Sequence, residues 1–555
     1  MIQITLQGNT EGFSSPISLR KALGRLAHDA LPDILACFYK GSVLELTTLL
    51  DRSGELIPIT YHNEEGRRIY ERSLRFVFLL AMQRCFPHGS ARMEHSIGQG
   101  IYIELSGMHL TASDVLVIEA AMHDIVTEDL HFIRKRWTRQ QAIAYFTQSG
   151  DGDKAQLLSY RPYDYFDVYT CGGMAEYFYG AMLPSTAYVP VFKLHFRAPG
   201  LIMLLPDISN PAQPAPYLSL PKHMAAFAQS NYWCKVLGCS TAAQLNGLIA
   251  NGGLRDFIRV NEAFHDKSLS EIAQDIINRG ARAIFIAGPS SSGKTTFAHR
   301  LSIHLRVNGL RPVILSMDDF YIDRQALPLE ADGKPDLEAL SALDTAYFRV
   351  CLHQLLNGQE ALMPRFSFIS GTREPNLVPT RIDNTQPLII EGIHGLNPAL
   401  HEGIEPSQLC RIYISSLTAL NLDNHNRIRT TDVRLLRRII RDYHFRGTKP
   451  EETLAMWDSV RRGEERWIFT YQEQADIVFN SALHYELPIL KMLAYDMLRQ
   501  VPKTHPDYIK CSRILKILHY FLPVSETILD EIPPLSILRE FIGGNTLYLH
   551  PEHLT

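Results

Sequence analysis

Hydrophobic positions change their period along the chain. Ile2, Ile4 and Leu6 alternate with polar residues as in a half-buried strand, a helix is expected over 19–27, and strands recur at Ala36–Tyr39 and Ile57–Tyr61. Between 205 and 235, Pro206, Pro211, Pro214, Pro216 and Pro221 predict a loop-rich join. A helical stretch follows and ends with Ile272, Ile276 and Ile277 before Gly280. Ala283–Ala287 is an unbroken apolar run, the mark of a parallel strand covered on both faces. Phe297, Leu301 and Leu305 then recur at helical spacing, with Gly309 as the stop. Buried-strand runs return at 312–317 and 388–390, and helical runs at 490–498 and 514–521.

The segment between the first buried strand and its helix is Gly288-Pro289-Ser290-Ser291-Ser292-Gly293-Lys294-Thr295-Thr296, which fits G-x-x-x-x-G-K-[ST]. Glycines and small serines let successive amides turn inward around a polyphosphate, and the helix start adds partial positive charge. Lys294 is expected to reach the outer phosphates of ATP, and the Thr295 hydroxyl to ligate Mg²⁺. The strand over 312–317 runs into Asp318-Asp319-Phe320-Tyr321, and the strand over 388–390 into Glu391-Gly392. Functional side chains gather at the carboxyl ends of strands in doubly wound sheets. Asp318 is therefore a candidate base and Glu391 a second Mg²⁺ candidate. Arg434, Arg437, Arg438 and Arg441 fall at i, i+3, i+4 and i+7, opposite Leu435, Leu436, Ile439 and Ile440. Only Asp432 and Asp442 lie near enough in sequence to neutralise them, so the expected role is a helical lid closing on ATP.

The chain has 555 residues and net charge −4, so several domains are expected and no global field draws it to nucleic acid or to a membrane. Eight cysteines without a C-x-x-C pair support neither a disulfide framework nor a zinc ribbon. With neither a leader nor a spanning segment in the pattern, a cytoplasmic location is expected.

The order GPSSSGKTT, DDFY, EG and RLLRRIIRD with a following RG resembles uridine kinases and their phosphoribulokinase relatives over about residues 280–480. The resemblance implies that Asp318 activates an acceptor hydroxyl, with Lys294, Arg437 and Arg441 also catalytic. It further implies that the acidic segment 335–344 faces the acceptor, Asp344 being its best-aligned acid. Phe366, Arg373 and Arg438 complete the implied acceptor site. In Met363-Pro364-Arg365-Phe366-Ser367-Phe368 and the residues after it, the family's acceptor-facing Tyr and His are missing. A nucleoside 5′-hydroxyl is the expected acceptor, with a sugar or sugar phosphate as the alternative.

Residues 1–62 resemble the ubiquitin-like TGS domain of threonyl-tRNA synthetases. The stretch from Ile69 through Phe86-Pro87, with Glu128-Asp129-Leu130 and Cys171-Gly172-Gly173, resembles their second, editing domain. That family carries two His where Arg72 and Phe76 stand here, and a Thr-His where Met174 and Ala175 follow Cys171. Neither editing activity nor zinc is therefore expected. An ATP-switched RNA- or tRNA-binding regulator is the reading this half leaves open.

The expected organisation is multidomain α/β. It comprises a TGS-like β-grasp unit at 1–62, a synthetase-like α+β unit at 63–205, a linker and helical segment at 206–275, a P-loop doubly wound domain with a helical lid at 276–485, and a helical tail at 486–555. The tail is expected to pack on the kinase core or on a second copy in a homo-oligomer.

Overall fold

The computed structural model describes residues 1–27, 31–329, 333, 335–367 and 370–547. Phe368 lies outside the described residues. The opening alternation turns Ile4 and Leu6 inward against the helix Leu19–Leu26. The sheet order is 9–13, 2–6, 54–60, 34–39, 42–45, with Ile2–Leu6 parallel to Gly54–Thr60, which is the β-grasp arrangement.

The helix Glu64–Cys85 is buried along most of its length and forms the axis of the front half. It packs on the helix Ala112–Thr127 and shares a core with an antiparallel sheet of order 193–197, 200–204, 100–106, 90–97. The expected loop over 205–235 is corrected in part, because the helix Pro221–Val236 begins inside it. Pro221 stands at the first helical turn, where no amide bond is lost and the ring's fixed φ already suits the helix. That proline opens an element instead of interrupting one.

In the second half five strands run parallel in the order 313–316, 388–391, 283–287, 409–415, 477–480. The apolar run at 283–287 is explained by its two covered faces. Ala283 and Phe285 meet Phe348 and Leu352 of the helix Thr345–Leu356 on one side. Ile284 and Ile286 meet Phe297 and Leu301 of the helix Lys294–Val307 on the other. The tail helices Glu486–Arg499 and Tyr508–Leu518 belong to that second cluster, so the tail packs on the parallel-sheet domain.

The halves are joined by specific polar contacts. Asn421 Nδ2 donates to the Met93 carbonyl at 2.7 Å, and the Met93 amide donates to Asn424 O at 2.8 Å. Arg68 grips both oxygens of Asp432 at 2.9 Å. Among the described residues no helix is long and apolar enough to cross a membrane.

Candidate active site

The phosphate loop is shaped by what surrounds it. A Cβ at Gly288 would collide with the Ile414 carbonyl of the neighbouring strand, so only glycine lets the loop start this close to the sheet. Ser291 (φ +59°) and Gly293 (φ +88°) are left-handed, which folds the loop back over the start of its helix. The first helical amides, from Lys294 to Thr296, have no intrahelical acceptor at that end. Lys294 Nζ donates to the Gly288 carbonyl at 3.0 Å and to Pro289 O at 3.4 Å, which holds the cation at the rim of the loop.

Two strand ends supply acids beside it. The register places Ser316 and Ile286 on either side of Glu391. Ser316 Oγ accepts from the Asp318 amide at 3.3 Å and donates to Glu391 Oε1 at 3.1 Å, so one hydroxyl ties both acids together. The Asp318 carboxylate has no hydrogen-bond or ion-pair partner among the described residues. Burial pushes its pKa up, while Lys294, Arg446 and Arg441 pull it down, so this carboxylate shares a space with the phosphate-loop lysine. Burial and the charge of Asp318 push Glu391 up to about 7.

Mg²⁺ prefers oxygen donors and keeps few protein ligands. Thr295 Oγ1, which has no protein partner among the described residues, and the Glu391 carboxylate form such an all-oxygen set. A cation favours the ionised carboxylate. Mg²⁺ affinity should therefore rise as pH climbs through about 7, and binding below that pH should release a proton from Glu391. Calorimetry in buffers of different ionisation enthalpy reads that release, and Glu391→Gln removes it. The raised value also means that the folded chain holds this proton more tightly than the unfolded chain. Stability is thus highest at low pH in this respect and falls as pH rises through about 7.

In the arginine helix Thr430–Arg446, expected from the sequence to close on ATP as a lid, two of the four arginines are interior. Arg434 is 1 % and Arg437 0 % exposed. Arg434 donates to Ser290 O at 3.1 Å and pairs with Glu464. Arg437 is held by Glu486 at 2.7 Å and the Ser481 carbonyl at 3.0 Å, with Ser291 O at 3.4 Å. Arg437 is therefore a brace beneath the loop. Arg438 faces the loop itself, donating to Ser290 Oγ at 2.8 Å, while Arg441 lies 3.7 Å from Glu540 of the tail. Sequence spacing identified a shared face and missed what covers it.

The acceptor-side residues also differ from expectation. Asp344 caps the helix Thr345–Leu356 through the Tyr347 amide at 3.0 Å, and its other oxygen meets Arg373 at 3.1 Å. Arg373 donates as well to Phe320 O and Tyr321 O, both at 3.0 Å. This pair shapes the wall next to Asp318 and presents little free hydrogen-bonding capacity. The Phe366 amide donates to Asp319 Oδ1 at 3.3 Å, and burial raises Asp319 to about 6.

Three further acids surround the site; Glu338 lies in the segment the sequence singled out, while Glu464 and Glu540 went unnoticed. Glu338, from the acidic segment, is pushed up to about 7 by burial and feels Arg438, Glu464, Lys294 and Asp318. Glu464 accepts from the Ser290 amide at 3.0 Å. Glu540, in the tail, accepts from Thr296 Oγ1 at 2.8 Å.

A phosphate loop, a base-like Asp on the next strand and an acid on the third define a family pattern. Residues 283–487 match the Phosphoribulokinase / Uridine kinase family. This kinase-family domain has a weak likeness to solved kinase structures. A candidate fructose transport system kinase from Silicibacter sp. TM1040 is 19 % identical, with 38 % of this chain and 98 % of that one covered at TM-score 0.30. A candidate uridine kinase from Bacillus stearothermophilus is 18 % identical, with 41 % and 99 % covered at TM-score 0.26. The chain also matches threonine–tRNA ligases. It is 30 % identical over 163 residues to that of Anaplasma marginale (strain Florida), which is 29 % of this chain and 26 % of the ligase. It is 28 % identical over 196 residues to that of Nitratidesulfovibrio vulgaris, which is 35 % and 30 %. The chain thus spans less than a third of the length of either ligase.

In the synthetase-like half, Cys171 is buried, its thiol pushed up to about 12 by desolvation. Phe76 packs against Phe132 and Phe178. Arg72 projects instead toward Gly180 and Ala181.

Proposed function

We propose that the chain is an ATP- and Mg²⁺-dependent phosphotransferase whose acceptor is a nucleoside 5′-hydroxyl. The observation that carries this reading is the unpartnered Asp318 carboxylate beside Lys294 at the mouth of the phosphate loop. In the proposed reaction the loop amides and Lys294 hold the triphosphate. Arg438 and Arg441 meet charge on the transferring group. Asp318 takes the hydroxyl proton as the acceptor oxygen bonds to the γ-phosphorus and the bond to the β-bridging oxygen breaks, leaving ADP. Mg²⁺, when bound, offsets charge on the phosphates; Thr295 and Glu391 are the residues that would hold it.

The acceptor class rests on the family description, which names both uridine and ribulose-phosphate chemistry, and on the acidic wall of Asp319 and Glu338. We read residues 1–62 as TGS-like and the whole chain as cytoplasmic. The test is ADP release by purified chain with ATP and Mg²⁺ against uridine, cytidine and ribulose 5-phosphate. Release with a nucleoside is expected. Release with the pentose phosphate alone would move the acceptor to the sugar class, and release with none of these acceptors would remove the nucleoside reading.

A further inference from the structure

A cavity of about 500 Å³ lies where the axial helix of the front half, the loop at 179–181, the hairpin Asn421–Arg427 and the tail helix Tyr508–Leu518 meet. Eight arginines and one lysine line it against four carboxylates. Glu64 and Asp432 add two more carboxylates from just outside, through their pairs with Arg68 and Arg513. Positive charge remains in excess.

The excess can be traced to particular side chains. Among the described residues Arg72, Arg161 and Lys516 have no carboxylate partner. Arg72 is only 6 % exposed; one of its nitrogens donates to the Ala181 carbonyl and its guanidinium lies 6.0 Å from the Tyr179 ring centroid, while Nε has no hydrogen-bond partner among the described residues. A Cβ at Gly180 would run into its guanidinium, so the chain leaves this space open for the charge. Arg161 is stacked between Tyr163 and Tyr520, at 4.8 and 4.1 Å from the ring centroids. Burial and the neighbouring Arg68 push Arg429 down to about 9, as a crowd of cations requires. A buried cation without a counter-ion is costly, and an arginine fork is matched best by phosphate.

We propose that this cavity binds a phosphate-bearing small molecule of about mononucleotide size, with Arg72 as its central ligand. The enclosed volume suits such a ligand. Tyr165 on the lining offers a face and a hydroxyl for the remainder of the molecule. An occupant would also touch the kinase-family domain. Asp432, held by Arg68 and Arg513 of this cluster, stands two residues before Arg434, which reaches the phosphate loop at Ser290.

The proposal is tested on the full chain carrying Lys294→Ala, which weakens phosphate binding at the loop. The probes are AMP, ribose 5-phosphate and inorganic phosphate, titrated at low salt by calorimetry and by melting temperature. Saturable binding of at least one phosphorylated probe is expected, with a raised melting temperature. Arg72→Met in the same background should weaken that binding by more than about tenfold. It should not lower the melting temperature without ligand, because it removes an unpaired buried charge. Lys516→Gln, an exposed change that spares the fold, should weaken binding to a lesser degree. No saturable binding by any probe would overturn the proposal, as would binding that both variants leave unchanged. Binding of tRNA with none of the three small anions bound would overturn it as well.

Discussion

Replacing Asp318 by asparagine is expected to lower turnover by about 10²–10⁴-fold, the range for a lost general base, while ATP binding stays intact. The amide keeps the shape of the carboxylate and cannot take the acceptor proton. ATP should bind at least as well, because Asp318 repels phosphate and has Lys294 within its field. The loop contacts that would hold the triphosphate do not pass through Asp318: the Gly288 backbone lies on Ile414, and Ser290 is held by Glu464 and Arg434. Single-turnover kinetics with pre-bound ATP separate the two effects. A rate constant within a few-fold of the parent would remove the proposed base. Substrate binding by filter or calorimetry gives the second readout, and a large loss of ATP affinity would show that Asp318 shapes the loop instead.

The local part of this site was legible in the sequence, and the long-range part was not. Gly288 and Lys294 were found from the G-x-x-x-x-G-K-[ST] motif that follows the strand over 283–287, and Asp318 and Glu391 because each follows a short apolar run; in a parallel sheet those strand ends share one edge. The strand pairings of Glu391 with Ile286 and Ser316 then bring them together. The β-grasp alternation at Ile2, Ile4 and Leu6 was legible for the same reason: period two is a local signal. Glu464 and Glu540 gave no such signal. They meet Ser290 and Thr296 across 174 and 244 residues, and nothing in their own neighbourhoods distinguishes them from surface acids. The same limit hid the cationic cavity. Arg68, Glu71, Arg72 and Arg75 follow i, i+3, i+4, i+7 on the axial helix, yet Asp432, Arg427 and the His425 carbonyl, which meet Arg68, Glu71 and Arg75, lie in the other half of the chain. The arginine helix shows the converse error. Its shared face was recognised from spacing and read as a lid, but spacing gave no sign that the phosphate loop and the tail both close on it and bury Arg434 and Arg437.

That burial makes the Arg434–Glu464 pair the support on which the loop geometry depends. Glu464→Gln is expected to destabilise the kinase-family domain by about 3–5 kcal/mol, because Arg434 is left as a buried charge with its main counter-ion gone. Glu464 is wholly buried and takes Arg434 through both oxygens, Arg461 at 2.8 Å and the Ser290 amide at 3.0 Å. Trp457 lies under the same guanidinium, 5.6 Å from ring centroid to charge centre, so tryptophan fluorescence during urea unfolding follows this part of the structure. The double change Arg434→Met with Glu464→Leu should recover most of the lost stability, since an apolar pair of similar volume carries no desolvation cost. It should not recover nucleotide binding. The Ser290 amide would still lack its acceptor and the Ser290 carbonyl its donor, and the loop would lose the two bonds that set its first turn. Stability restored without affinity would identify the pair as a positioning device for the phosphate loop. A single-variant loss below about 1 kcal/mol, the worth of an exposed pair, would show that the charge is relieved by water and that the loop holds its shape unaided.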